Sequence, residues 1–112
     1  MTLPDLYLFR EGKRQFYRRV KDIDYVKGEG NCSKFHFTDG SSHMENKNIG
    51  LHRKHLEAFS FFQQIHRSFV VNLKAIKGIT PDGKVLLKSG AELLCSEKRL
   101  PALLELFPIA GR

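Results

Sequence analysis

At 112 residues the chain is sized for one domain that buries roughly two-thirds of the surface its unfolded form exposes, so a hydrophobic core needs no staple. The 19 Lys and Arg against 12 Asp and Glu give a formal charge of +7, which favours polyanionic partners, but residues 1–56 carry 11 basic and 7 acidic side chains and residues 57–112 carry 8 and 5, so there is no basic tail and any electrostatic footprint is assembled by folding. Cys32 and Cys95 lie far apart and form no C-x-x-C, and no apolar run approaches a membrane span or a signal pattern after Met1, which together exclude a disulfide framework and a zinc ribbon and point to a reducing, cytoplasmic setting.

In chain order, strand-like segments are expected over Leu6–Arg10, Arg14–Arg18, Ile23–Lys27, Lys34–Thr38 and Ser42–Asn46. Turn signals at Glu11-Gly12 and Asp39-Gly40 fall between them. Phe35 and Phe37 share one face of their strand, so both read as core. The period then changes. Ile49, His52, Leu56 and Phe59 recur at helical intervals behind Asn48, a natural N-cap, which predicts an amphipathic helix over Asn48–Phe59 with Arg53, Lys54 and Glu57 on its outer face. After a polar stretch read as a loop, strands resume at Phe69–Leu73, Ile76–Thr80, Lys84–Lys88 and Glu92–Cys95, with further turn signals at Asp82-Gly83 and Ser89-Gly90. Ser96–Arg99 reads as a loop because Pro101 belongs in the first turn of a second helix, Leu100–Phe107, followed by a short tail from Pro108 to Arg112. The fold class is therefore mainly β: antiparallel sheets with one short amphipathic helix and a short C-terminal helix, in one domain spanning residues 1–112.

Three loops carry the chemistry. Gly28–Ser33 has two glycines that allow close backbone approach and Asn31, whose amide is able to pair with adenine. Gln63–Ser68 presents His66, Arg67 and Ser68 at the mouth of an apolar strand, where a guanidinium makes bidentate contacts to guanine edges or phosphates. Ser96–Arg99 fixes Lys98 and Arg99 at the root through Leu100 while leaving them exposed at the tip. Phosphate contacts should outnumber base contacts, and Lys47, Arg53, Lys54 and Lys74 flank the loops in sequence. Asn72, at a strand end, reads as structural.

Four separated blocks also resemble a known family. Asp22-Ile23-Asp24-Tyr25-Val26-Lys27-Gly28-Glu29-Gly30-Asn31, Phe35-His36-Phe37-Thr38-Asp39-Gly40, Phe62 to Leu73 and Leu93-Leu94-Cys95-Ser96-Glu97-Lys98-Arg99-Leu100 are similar in order and spacing to a LytTR-type DNA-binding domain, over about residues 5–107. The resemblance implies an elongated β-domain whose loops enter the DNA major groove, as in the output module of bacterial response regulators. It implies base contacts from Asn31, Ser33, His66, Arg67, Lys98 and Arg99, and adds Ser68 and Ser96 to the phosphate-contacting set of Lys47, Arg53, Lys54 and Lys74.

The expected partner is double-stranded DNA, with a homodimer on repeated sites compatible with it, and no membrane or small-molecule substrate. An RNA-binding β-module with Phe35 and Phe37 as stacking platforms is the main alternative, and a module for an acidic protein partner is another. Catalytic readings are poorer. Asp22 and Asp24 would share a strand face as a nuclease pair does, yet no second acidic cluster completes such a site and solvated edge charges explain them more simply. His52 and His55 lack a third zinc ligand, and neither cysteine has a local activating context. No catalytic residue, metal or cofactor is expected.

Overall fold

The computed structural model describes residues 5–107; residues 1–4 and the tail expected over Pro108–Arg112 lie outside them. The strands are β1 (Leu6–Glu11), β2 (Arg14–Arg19), β3 (Ile23–Glu29), β4 (Cys32–Phe37), β5 (Ser42–Asn46), β6 (Phe62–His66), β7 (Phe69–Asn72), β8 (Ile76–Ile79), β9 (Lys84–Leu87) and β10 (Glu92–Leu94). Two α-helices, α1 (Ile49–Leu56) and α2 (Leu100–Glu105), complete the main elements, with short 3-10 turns at Val20–Asp22 and Leu73–Ala75. The body measures 51 × 34 × 24 Å.

A five-stranded antiparallel sheet in the order β5-β4-β3-β7-β6 forms the middle of the molecule. The β1-β2 hairpin and α1 cover one face, around Tyr7, Phe9, Val20, Ile23, Val26, Phe35, Phe37, Leu56, Phe62 and Val70. The three-stranded sheet β10-β9-β8 and α2 cover the other, around Ile65, Val71, Ile76, Val85, Leu87, Leu93, Cys95 and Leu103. Neighbouring residues of a strand point to opposite faces, so Val70 and Val71 enter different cores. That is why β7 reads as a continuous apolar run rather than as an alternation. Phe9 ties the first core together, meeting Phe35 edge-on at 4.9 Å and Phe37 at 5.5 Å, the arrangement in which a positive ring edge faces a negative ring face.

Several expectations need correction. Gln63–Ser68 is not a loop: β6 runs through it and pairs with β7, leaving Arg67-Ser68 as the turn between His66 and Phe69. Gly28–Ser33 likewise shrinks to a Gly30-Asn31 turn, because β3 continues to Glu29 and β4 begins at Cys32. Asp22 and Asp24 do not share a strand face, since Asp22 closes a 3-10 turn and a bulge separates Ile23 from Tyr25 in the β3-β4 register. Nor is Asp24 a solvated charge. It is buried, and its Oδ2 accepts a hydrogen bond from Ser89 Oγ at 2.6 Å. Asn72 is structural as expected, but it reaches across the sheet: its Nδ2 donates to Ile23 O at 3.0 Å while its Oδ1 accepts from Lys74 N at 2.9 Å.

Candidate nucleic-acid interface

Strand direction places the candidate corners. In the five-stranded sheet, β5, β3 and β6 end, and β4 and β7 begin, at the same end, because every pairing is antiparallel. Across that end run the β5-α1 corner with Lys47, the β3-β4 turn with Asn31 and the β6-β7 turn with Arg67. Hydrogen bonds lock neighbours together: Ser33 Oγ donates to Lys47 O at 3.0 Å, and Gly28 N donates to Ser68 O at 2.9 Å. The β10-α2 loop joins the row beyond β6, where Ser96 N donates to Ile65 O at 2.8 Å and Arg99 Nη2 approaches Gln64 Oε1 at 3.4 Å.

Lys47, Asn31, Arg67 and Lys98 are all exposed on this row. Among the described residues none of the three cations makes an ion pair, so each keeps its donors for a ligand. Arg67 stands at the tip of a tight hairpin whose stem is anchored by Ile65, Val70 and Val71, all fully buried. His66 supports the turn from within: its Nδ1 accepts from Ser68 N at 3.1 Å, which leaves the proton of the neutral ring on Nε2, a donor directed away from the turn's own backbone. Lys47 adopts φ +82°, a left-handed conformation that a side chain with a Cβ rarely takes. Gly30 does the same at φ +64° without that penalty and lets the β3-β4 turn close in two residues.

Other candidates belong elsewhere. Ser33 is fully buried and its hydroxyl is engaged by the Lys47 carbonyl, so it supports the β5-α1 corner instead of offering a base contact. Ser96 Oγ is buried and has no hydrogen-bond partner among the described residues, while its backbone anchors the loop. Arg99 is half-buried against Gln64, leaving Lys98 as the outward charge of its pair. Ser68 is half-buried in the turn. Lys54 is exposed along α1, and Arg53 beside it is held by Glu57 at 2.9 Å. Lys74 lies at the opposite end of the sheet, beyond the close of β7, with its ammonium 4.6 Å from the Phe61 ring.

Sequence reading missed two lysines. Lys27 and Lys34 are cross-strand partners two pairs in from the Glu29-Cys32 pair that closes the Gly30-Asn31 turn, and like charges in that relation repel. Glu29 lies 3.9 Å from Lys27 and relieves part of the repulsion. The signal was available only through the register, because the two positions are seven apart in sequence and meet when Gly30 and Asn31 turn the chain. On the same sheet face Tyr25 and His36 stack at 4.3 Å with rings 9° from parallel. Burial, with Lys34 adding to it, lowers the His36 pKa.

Phe35 and Phe37 are 0% and 2% exposed, which removes the stacking platform that an RNA-binding reading required. His52 is buried with Nδ1 2.7 Å from Tyr7 Oη and Nε2 3.0 Å from Asn46 O, so both ring nitrogens serve the core. Burial pushes the Cys95 thiol pKa up, against the opposing pull of Arg99. Among the described residues no three His, Cys, Asp or Glu side chains gather as a metal site, and no helix is long and apolar enough to cross a membrane.

A family model described as the LytTr DNA-binding domain matches residues 13–107. Among solved structures, the chain is similar to the LytTr DNA-binding domain of a protein described as a methyl-accepting/DNA response regulator from Bacillus cereus, with a TM-score of 0.76 and 16% identity over 94% of this chain and 98% of that one. At that identity the likeness is one of fold. No curated protein matches.

Proposed function

The chain belongs to the LytTr DNA-binding domain family, and from that premise we propose that it binds double-stranded DNA sequence-specifically by seating the row of sheet-end corners in the major groove. The observation that carries this reading is the alignment of Lys47, Asn31, Arg67 and Lys98 across one end of a sheet whose two faces are both packed. A rigid edge of that kind is able to insert the side chains of short turns between phosphate walls without a recognition helix. Arg67 and Asn31 read base edges, Arg67 with two parallel donors and Asn31 with an amide that both donates and accepts. Lys98 and the His66 Nε2 donor flank Arg67 in the same groove. Lys27, Lys34, Lys47, Lys54 and the Ser68 hydroxyl fix register on the phosphates, and Arg99 supports the Lys98 loop through Gln64.

In this reading the chain acts as a bacterial transcriptional regulator or as the output domain of a response regulator, the context named for its structural relative from Bacillus cereus. Occupation of repeated sites by two copies belongs to the same proposal. Selection from a pool of randomised duplexes tests the whole of it. The wild-type chain should enrich a short motif, and an Arg67→Ala, Lys98→Ala double variant should enrich none. Failure of the wild type to enrich any sequence, with binding to an acidic polypeptide of equal strength, would transfer the row of cations to a protein partner.

A further inference from the structure

At the end of the sheet opposite the corners lies a polar concavity. Lys21 and Asp24, Thr38, the Asn72–Ala75 segment and the β9-β10 turn residues Lys88 and Ser89 line a cavity of about 270 Å³. Its floor is unusual. Asp24 is 2% exposed, its Oδ2 is engaged by the Ser89 hydroxyl, and its Oδ1 has no hydrogen-bond partner among the described residues. A buried carboxylate oxygen without a donor is expensive to keep, so it points to a ligand that brings one.

The rim selects the rest of that ligand. Lys21, Lys74 and Lys88 are exposed around the opening, and none forms an ion pair among the described residues. Three cations over one carboxylate leave a net charge near +2, which suits a phosphate monoester at neutral pH. Asn72 contributes shape alone, because its amide is already engaged by Ile23 O and Lys74 N. The backbone around the pocket is fixed as well: Lys88 N donates to Ala75 O at 2.9 Å, tying the β9-β10 turn to the 3-10 turn after β7.

We propose that this pocket binds a small phosphorylated polyol, with its phosphate on Lys21, Lys74 and Lys88 and a neighbouring hydroxyl donating to Asp24 Oδ1. The site is separate from the DNA-reading corners. Asp24 and Glu29 lie at opposite ends of β3, about 17 Å apart at the rise of an extended strand, so ligand and duplex bind together without competing.

The test uses the full chain, with ribose 5-phosphate, inorganic phosphate and ribose as probes, followed by backbone amide NMR. Ribose 5-phosphate should shift the Thr38, Ala75 and Ser89 amides, bind about tenfold more tightly than inorganic phosphate, as one added hydrogen bond to a charged group allows, and leave ribose without effect. Asp24→Asn, which keeps an acceptor but loses its charge, should shrink that preference while sparing phosphate itself, and Lys88→Met, at an exposed turn, should weaken both phosphates together without touching the fold. Addition of a duplex should leave the shifted amides in place. Binding of no probe, indifference to Lys88→Met, or displacement of ribose 5-phosphate by DNA would each overturn the proposal. The first two outcomes leave the DNA-binding reading intact, and a chain that binds the sugar phosphate but no duplex separates the two in the other direction.

Discussion

Arg67 is the residue at which specificity and affinity should part. Its guanidinium is exposed at the tip of a hairpin whose fold rests on Ile65, Val70 and Val71, so Arg67→Ala should leave the circular dichroism spectrum and melting unchanged. Loss of a bidentate base contact is worth about 1–3 kcal/mol on the preferred duplex, with a much smaller loss on random duplex. Equal losses on both would demote it to a phosphate contact. Arg53→Ala, expected from sequence to weaken both duplexes, should instead change little, because Glu57 already neutralises that guanidinium at 2.9 Å. Lys47 supplies a second test. A left-handed residue with a Cβ is strained by roughly 1–2 kcal/mol, and glycine is free of that strain but has more conformational freedom to lose on folding. Lys47→Gly should therefore melt at or slightly above the wild-type temperature while binding duplex more weakly. A parallel loss of stability and binding would show that the conformation serves the fold and not the ligand.

Histidine protonation gives a pH signature at the same scale. Burial lowers the pKa of His52 below its ordinary value, although hydrogen bonding to Asn46 O and the charge of Glu45 oppose the shift, and burial lowers that of His36 too. A folded state that disfavours the imidazolium is fully stabilised by this effect above the unfolded pKa of about 6.5. That stabilisation is lost as pH falls below it and through the depressed folded values. Urea melts between pH 7.5 and 5 should show declining stability, and His52→Gln should flatten the decline even as it lowers stability throughout. An unchanged slope in the variant would place the titration elsewhere.

At the scale of elements, the β5-α1 corner depends on Asn48, whose Oδ1 accepts from Leu51 N at 3.2 Å and satisfies one of the helix's free amides. Asn48→Ala should cost about 0.5–2 kcal/mol in thermal or denaturant unfolding, the range of a lost N-cap. Asn48 and its helix were legible because a cap and a 3.6-residue period are local signals. So were the hairpins with Gly40, Gly83 and Gly90, each at positive φ where the turn signal had placed it. β6 was not. Gln63, Gln64 and His66 make it polar, Ile65 is its single residue buried in the second core, and its turn, Arg67-Ser68, contains neither glycine nor asparagine. Its pairing with β7 supplies what its composition lacks. Three of the corners were legible as separate loops, yet the burial of Ser33 and of the Ser96 hydroxyl was not. A serine is small enough for either environment, and the Lys47 carbonyl holds the Ser33 hydroxyl inside.

For the whole molecule, charge excess acts through the salt dependence of binding. With Lys27, Lys34, Lys47, Arg67 and Lys98 at or beside the row and Lys54 exposed along α1, neutralising four or five phosphates would make log K fall by about 4 per decade of salt on duplex DNA. Titrations from low to physiological salt measure the slope, and removal of Lys54 should lower it by about 0.9 without altering sequence preference. A slope near zero would point away from nucleic acid.

In the proposed mode of binding the sheet end also serves as a ruler. The β3-β4 and β6-β7 turns straddle adjacent strand pairs in the order β4-β3-β7-β6, so their centres are two strand spacings apart, about 10 Å. Base pairs rise about 3.4 Å, which makes that interval close to three steps of the duplex. Asn31 and Arg67 should then address base pairs about three apart, an interval fixed by backbone hydrogen bonding and therefore indifferent to which side chains occupy the tips. Base-by-base substitution of the preferred duplex, compared between Asn31→Ala and Arg67→Ala, reads the interval directly. A chain that keeps this ladder is free to change its letters while reading at the same stride.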